Sequence, residues 1–124
     1  MREKAWAPYS GFAVGAAVLA ADGRVFVGCN VENASYGLSI CAERNAVAAA
    51  VAAGARDLTA VAVVTDADPP APPCGACRQV LAEFGNLTVV LAGTAGATTV
   101  TTVADLLPAP FTPDALGHND EGRK

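Results

Sequence analysis

Two short stretches of this chain hold residue types suited to chemistry: Cys41-Ala42-Glu43 and, further along, Pro73-Cys74-Gly75-Ala76-Cys77. Three cysteine thiolates fill three corners of a zinc tetrahedron and leave the fourth for water, which separates a catalytic zinc from a closed structural one. Glu43 stands two positions after the first ligand. On a tight helical turn it faces that water, where a carboxylate takes a proton and later returns it to a departing group. A Cys-x-x-Cys alone would suit a redox protein or a structural zinc knuckle equally well. Joined to Cys-x-Glu, it supplies three ligands and a base instead of four ligands.

The remaining candidates for a fourth ligand are poor. Cys29 falls inside an apolar run twelve positions before Cys41, where a small buried apolar role is expected. The one histidine, His118, is in a polar tail and is expected to face solvent, so a His-Cys-Cys site is not anticipated. Three thiolates on Zn2+ leave a net negative centre, which weakens its hold on the proton-releasing water. Compensating positive charge is therefore expected nearby. Arg44 and Arg78 adjoin the two ligand motifs, and Arg44 is the one expected to donate to a thiolate sulfur.

These side chains need elements that aim them at one point. Cys41 to Ala53 is rich in alanine and free of proline, with Gly54 placed to end it, so it reads as a buried helix. Cys74 to Phe84 reads as a second helix, ended by Gly85. Both Cys41 and Cys74 then sit at helix starts, where unpaired N–H groups and the helix dipole favour a thiolate. Before them, Val14 to Ala20 and Arg24 to Val31 form two strands joined through Asp22-Gly23, a hairpin signal. Leu58 to Thr65 reads as a buried strand. The next stretch, Asp66 to Pro73, carries four prolines within five residues and cannot continue it. Thr88 to Ala92 is a further strand, Thr98 to Val103 an edge strand, and Val103 to Leu107 a short helix before Pro108. Crossover helices make the strands they join parallel, so the sheet is mixed, with its faces covered.

Composition bounds the rest. At 124 residues, one domain over 1–116 is expected, followed by a polar tail over 117–124 that frays. Hydrophobic residues reach 52% against 16% charged, so more apolar surface is available than a small monomer hides, and oligomerisation is the natural outlet. No apolar stretch follows the charges at the start, so a secretory leader is not expected, and Ala46 to Ala53 is too short to span a membrane. A cytoplasmic protein is expected, in which a Cys-x-x-Cys serves metal or redox chemistry rather than a disulfide. Eight basic against twelve acidic residues give a net charge of −4 with no basic stripe, a poor match for a polynucleotide partner and a better one for a small neutral substrate.

The segments Tyr9-Ser10-Gly11-Phe12-Ala13-Val14-Gly15-Ala16 and Gly28-Cys29-Asn30-Val31-Glu32-Asn33-Ala34-Ser35-Tyr36-Gly37, together with the two zinc motifs, resemble the small homotetrameric cytidine deaminases. The likeness runs from about Ala7 through Leu116. It implies a three-layer α/β/α sandwich around a mixed sheet of about five strands, and hydrolysis of cytidine and deoxycytidine to the uracil nucleosides plus ammonia, as in pyrimidine salvage. It also implies one Zn2+ per subunit on Cys41, Cys74 and Cys77, with Glu43 as the proton shuttle. Asn30 and Glu32 match the pair that grips the ribose 3′-hydroxyl, Phe12 the aromatic packed on the nucleoside, and Phe111 an aromatic contributed across a subunit interface. The Ala42 amide is similar to a donor to the pyrimidine carbonyl, and Ala34 and Tyr36 to contacts near the 5′-hydroxyl of a neighbour's substrate. One departure stands out: family members carry a full helix before the Tyr-Ser segment, where this sequence has only a short lead to Pro8.

Two other functions use parts of the pattern. A deaminase of the same fold acting on another base or a nucleoside antibiotic would keep the zinc and Glu43 but lack the Asn30-Val31-Glu32-Asn33 grip. A non-catalytic, zinc-stabilised interaction domain would need no Glu43 and would close its metal with four ligands.

Overall fold

Alternating apolar runs and turn residues build a five-stranded sheet in the order β2-β1-β3-β4-β5. The computed structural model describes residues 1–117, so His118 and nearly all of the polar tail lie outside the described residues. Strands β1 (Gly15–Ala20) and β2 (Val25–Cys29) pair antiparallel across the Asp22-Gly23 turn, where Gly23 adopts φ +92°. β3 (Leu58–Thr65) lies antiparallel to β1 and parallel to β4 (Thr88–Gly93), and β5 (Thr98–Thr102) closes the other edge antiparallel to β4. The expected α/β fold with a mixed sheet is present.

Helix α1 (Ala42–Ala52) joins β2 to β3, and α2 (Gly75–Ala82) joins β3 to β4. Each starts one residue later than its sequence suggested because the leading cysteine is an N-cap in extended backbone, and α1 stops one residue and α2 two residues before the expected end. α1 is closed by the expected glycine: Gly54 turns at φ +91° while its N–H bonds Val51 and the Ala55 N–H bonds Ala50, satisfying carbonyls that would otherwise lack partners. Its burial is confined to one face, Ala42, Glu43, Ala46, Val47 and Ala50, and the alanines of the opposite face are exposed. A short α3 (Val103–Leu106) follows β5, its start capped by the Thr102 hydroxyl, which accepts from Asp105 N–H at 3.2 Å.

All three helices close on one side of the sheet, in a core that joins Val18, Val61 and Val89 to Ala46, Leu81 and Val103. Gly28 of β2 makes the closest approach: a Cβ there would lie 2.5 Å from Ala46 N and 2.6 Å from Ala42 O. The opposite face carries the row Val27–Ala17–Ala62–Val90–Val100, with Val27 and Val100 exposed. There the outer layer of the expected sandwich consists, among the described residues, of a single 3-10 turn, Arg2–Lys4. Gly15 lets this turn sit down, since a Cβ would meet Arg2 N at 2.8 Å.

Strand β2 stops at Cys29, two residues before the sequence-based end. Asn30 N–H still reaches Val14 O in the β1 register, at 3.3 Å, but Val31 turns to another partner and exchanges bonds of 2.9 Å with Ile40. Cys29 is therefore the last strand residue, half-buried, not the buried mid-strand residue expected. No helix among the described residues is long and apolar enough to cross a membrane.

Candidate active site

The two helix starts meet. Cys41 caps α1 and Cys74 caps α2, and Cys77, one turn into α2, returns beside Cys74. Their sulfurs lie within 4.8 Å of one another, with Cys41 Sγ to Cys74 Sγ at 3.6 Å and Cys74 Sγ to Cys77 Sγ at 3.4 Å. A tetrahedral zinc with bonds of about 2.3 Å to sulfur needs edges of about 3.8 Å, so the triangle fits the ion after slight widening. Among the described residues no fourth Cys, His or carboxylate completes the cluster; Cys29 is not part of it. The donor set is that of an open site.

Charge around the sulfurs is unevenly held. The Cys41 thiol is drawn down to about 5, first by the Cys77 thiol donating to it and then by Arg44 and Cys74, against the cost of burial. Cys77 is pushed up as the other half of that pair, by its bond to Cys41 and by burial. Arg44 Nη2 lies 3.6 Å from Cys41 Sγ and 3.3 Å from Ser39 O, where a guanidinium draws charge off a thiolate. Arg78 does a different job: its guanidinium bonds Pro73 O at 2.8 Å and Leu106 O at 2.9 Å, tying the proline loop and α3 to α2.

Glu43 sits in the first turn of α1, only 4% exposed. Burial raises its carboxyl above the ordinary 4.5, and the neighbouring Cys41 charge adds to the rise. A carboxyl shifted in this direction is better suited than a free one to take up a proton and later release it. It lines a cavity of about 290 Å³ together with Cys41, Ala42, Cys74, Phe12, Asn30 and Glu32. Roomier hollows, about 380 Å³ over the outer sheet face and about 470 Å³ beside the hairpin turn, lie away from the sulfurs and hold no comparable chemistry.

The cavity's outer wall is the segment Tyr9–Val14, and Asn30 and Glu32 fasten it. Asn30 Nδ2 donates to Phe12 O at 2.8 Å and its Oδ1 accepts from Val14 N–H at 2.9 Å. Glu32 Oε1 accepts from the Tyr9 and Ser10 amides at 2.9 and 3.1 Å, and its Oε2 accepts from the Ser10 hydroxyl. The Ser10 hydroxyl is the leading cause holding the Glu32 carboxyl below its usual 4.5. Both side chains thus have work within the chain that sequence patterning did not suggest, while still facing the cavity.

Three candidates stand apart from this cavity. Tyr36 is 74% exposed and meets Tyr9 edge-on at 5.7 Å, beside a second hollow that shares Ser10 and Glu32. Ala34 is exposed. Phe111 is 59% exposed, its backbone pinned by Gln79, whose Oε1 accepts from Phe111 N–H at 3.0 Å and whose Nε2 donates to Phe111 O at 2.7 Å. Conversely, Thr65 lines the cavity, 2% exposed, and was not singled out. The signal was available: it is the polar end of the inward register Val61, Val63, Thr65.

Residues 1–93 match the profile of the cytidine and deoxycytidylate deaminase zinc-binding region. A curated cytidine deaminase of Sporosarcina psychrophila is 50% identical over 122 residues, 97% of this chain and 90% of that protein. One from Halalkalibacterium halodurans is 52% identical over 117 residues, covering 93% and 89%. The crystal structure of cytidine deaminase from Burkholderia pseudomallei superposes with a TM-score of 0.86 at 57% identity, covering 89% of this chain and 90% of that one. On the three-sulfur site, the sheet that carries it and these likenesses over nearly its full length, the chain belongs to the cytidine and deoxycytidylate deaminase family.

Proposed function

We propose that this protein deaminates cytidine and deoxycytidine to uridine and deoxyuridine, with Zn2+ held by Cys41, Cys74 and Cys77. The observation that carries this reading is Glu43, a buried carboxyl beside an open three-sulfur cluster on the floor of a nucleoside-sized cavity. When bound, zinc supplies the Lewis acidity that makes a water nucleophilic near neutral pH. Glu43 accepts the proton of the attacking water and delivers it to pyrimidine N3, leaving C4 electron-poor. Once the hydroxide has added to C4, Glu43 takes the remaining proton of that new hydroxyl and passes it to the exocyclic nitrogen, so that C4=O forms as the C4–N bond breaks and ammonia departs. Ala42, the first helical residue of α1, offers an N–H with no intrahelical partner to the pyrimidine carbonyl. Phe12 packs on the ring, and Asn30 and Glu32 hold the ribose 3′-hydroxyl, which needs both a donor and an acceptor.

The working form we propose is a homotetramer with shared sites. Phe111, Ala34 and Tyr36 lie outside their own chain's cavity and exposed, as groups serving a neighbour's substrate would, and Trp6, Leu38 and Leu116 add further uncovered apolar surface. A cytosolic setting suits four free cysteines. A panel of cytidine, deoxycytidine, cytosine, adenosine and a short single-stranded oligonucleotide, followed by ultraviolet absorbance, tests the reading. Turnover of the two nucleosides alone is expected; preference for the free base, adenosine or the oligonucleotide would overturn it.

A further inference from the structure

Ser10 lies at the join between the two substrate contacts on the cavity's outer wall. Its Oγ donates to Glu32 Oε2 and accepts from Phe12 N–H at 3.0 Å. The turn that folds this hydroxyl back is made by Gly11, at φ +69° with open space where a Cβ would stand. Glu32 is thereby held from two sides, by the Tyr9 and Ser10 amides on Oε1 and by the Ser10 hydroxyl on Oε2. A glutamate carboxylate is otherwise free about its last torsion, where the energy wells are broad. Each carboxylate oxygen offers about two lone-pair sites, so the serine leaves one on Oε2 unfilled.

We propose that Ser10 is a positioning residue for the sugar: it fixes the rotation of Glu32 so that the open acceptor site on Oε2 meets the ribose 3′-hydroxyl, and it ties that site to the backbone of the aromatic Phe12. The inference rests on the reading that Glu32 accepts from that hydroxyl. Ordering the carboxylate before substrate arrives removes that cost from binding. Because the same hydroxyl bonds Phe12 N–H, the sugar contact and the ring contact are set together.

The test compares kcat/KM for cytidine, 3′-deoxycytidine and 2′-deoxycytidine in the wild type, Ser10→Ala and Ser10→Thr. A hydrogen bond to a charged group gives the wild type a preference for the 3′-hydroxyl of roughly ten- to a hundredfold. In Ser10→Ala that preference is expected to fall to about threefold or less, mainly through KM, as two coupled groups require. Ser10→Thr should restore it, and the 2′-deoxy ratio should be the same in all three proteins. A merely structural effect would lower every substrate together and leave the ratios alone. An unchanged 3′-preference in Ser10→Ala overturns the proposal, as does an increased one, which would make the serine a competitor for the acceptor site. A wild type indifferent to the 3′-hydroxyl overturns the Glu32 reading itself, and this inference with it. Ser10→Cys, close in size but a weak donor, answers the same question if the alanine variant fails to fold.

Discussion

The floor and the rim of the cavity are built on different terms. The floor, with three sulfurs, Glu43 and the Arg44 guanidinium, is set by two helix starts packed on the sheet. The rim is a loop, Tyr9–Val14, fastened by Asn30 and Glu32, and the exposed Tyr36 and Phe111 stand apart from the cavity, free to serve a neighbour in the proposed tetramer. Proton transfer tolerates little misplacement and suits groups mounted on helices packed against the sheet, whereas the rim is loop backbone held by side-chain hydrogen bonds. Failures should therefore differ in kind: damage to the floor abolishes chemistry or the fold, and damage to the rim weakens substrate binding.

The sharpest way to break this contrast is at a ligand. Cys74→Ser should release the metal, abolish activity and lower thermal stability, since metal binding here is also folding energy. Stoichiometric zinc with normal turnover in that variant would remove Cys74 from the site. Glu43→Ala should keep its zinc and its nucleoside affinity while turnover drops about 10²- to 10⁴-fold, the usual worth of a positioned acid-base group. Activity within tenfold of the wild type would contradict the assignment. Arg44→Gln should retain the fold but lose about 10- to 100-fold in zinc affinity or turnover, the range seen when groups behind a metal's ligands are removed; titration with a competing chelator reads it directly.

Rim variants sharpen the comparison from the other side. Phe111→Ala should raise KM by about tenfold with little change in kcat, as loss of one aromatic anchor does. If the ring serves a neighbour, co-assembly of Phe111→Ala with Glu43→Ala chains will be more active than the average of the two preparations; strict averaging would confine Phe111 to its own chain. The smallest effect concerns acid. Glu32 titrates below 4.5 in the folded chain because Ser10 donates to it, so its contribution to stability is complete above about pH 4.5 and is lost as pH falls through the lower folded value. Ser10→Ala removes the largest cause of that lowering and brings the folded value closer to the unfolded one, so its melting temperature should vary less steeply below pH 4.5 than that of the wild type. Parallel curves would show that the serine bond has no such weight.

The same division explains what could be read in advance. Turn glycines at 23, 54 and 85, the proline run before Cys74 and the spacing of ligands are local signals, and they located the hairpin, both helix ends and the metal cluster. Both helices were read one residue too early at their starts because a capping cysteine and a helical one look alike in sequence. The rim was legible by residue type and not by partner. Nothing local says that Asn30 spends its amide on Phe12 and Val14, or that Arg78 turns to Pro73 and Leu106 while Arg44 turns to sulfur. Those bonds join residues far apart in the chain, and they exist only once the sheet has brought the loops together.

Gly28 has no part in the chemistry, yet it sets the distance between floor and rim. Because α1 rests directly on its bare backbone, the strand that leads into Asn30 and the helix that carries Glu43 are gauged against each other by a missing methyl group. In a mutational survey this position would score as intolerant as a ligand, and for a mechanical reason. A library built to change substrate scope would be aimed at the rim, whereas an alanine at 28 would shift Glu43 relative to Asn30 and disturb every substrate at once.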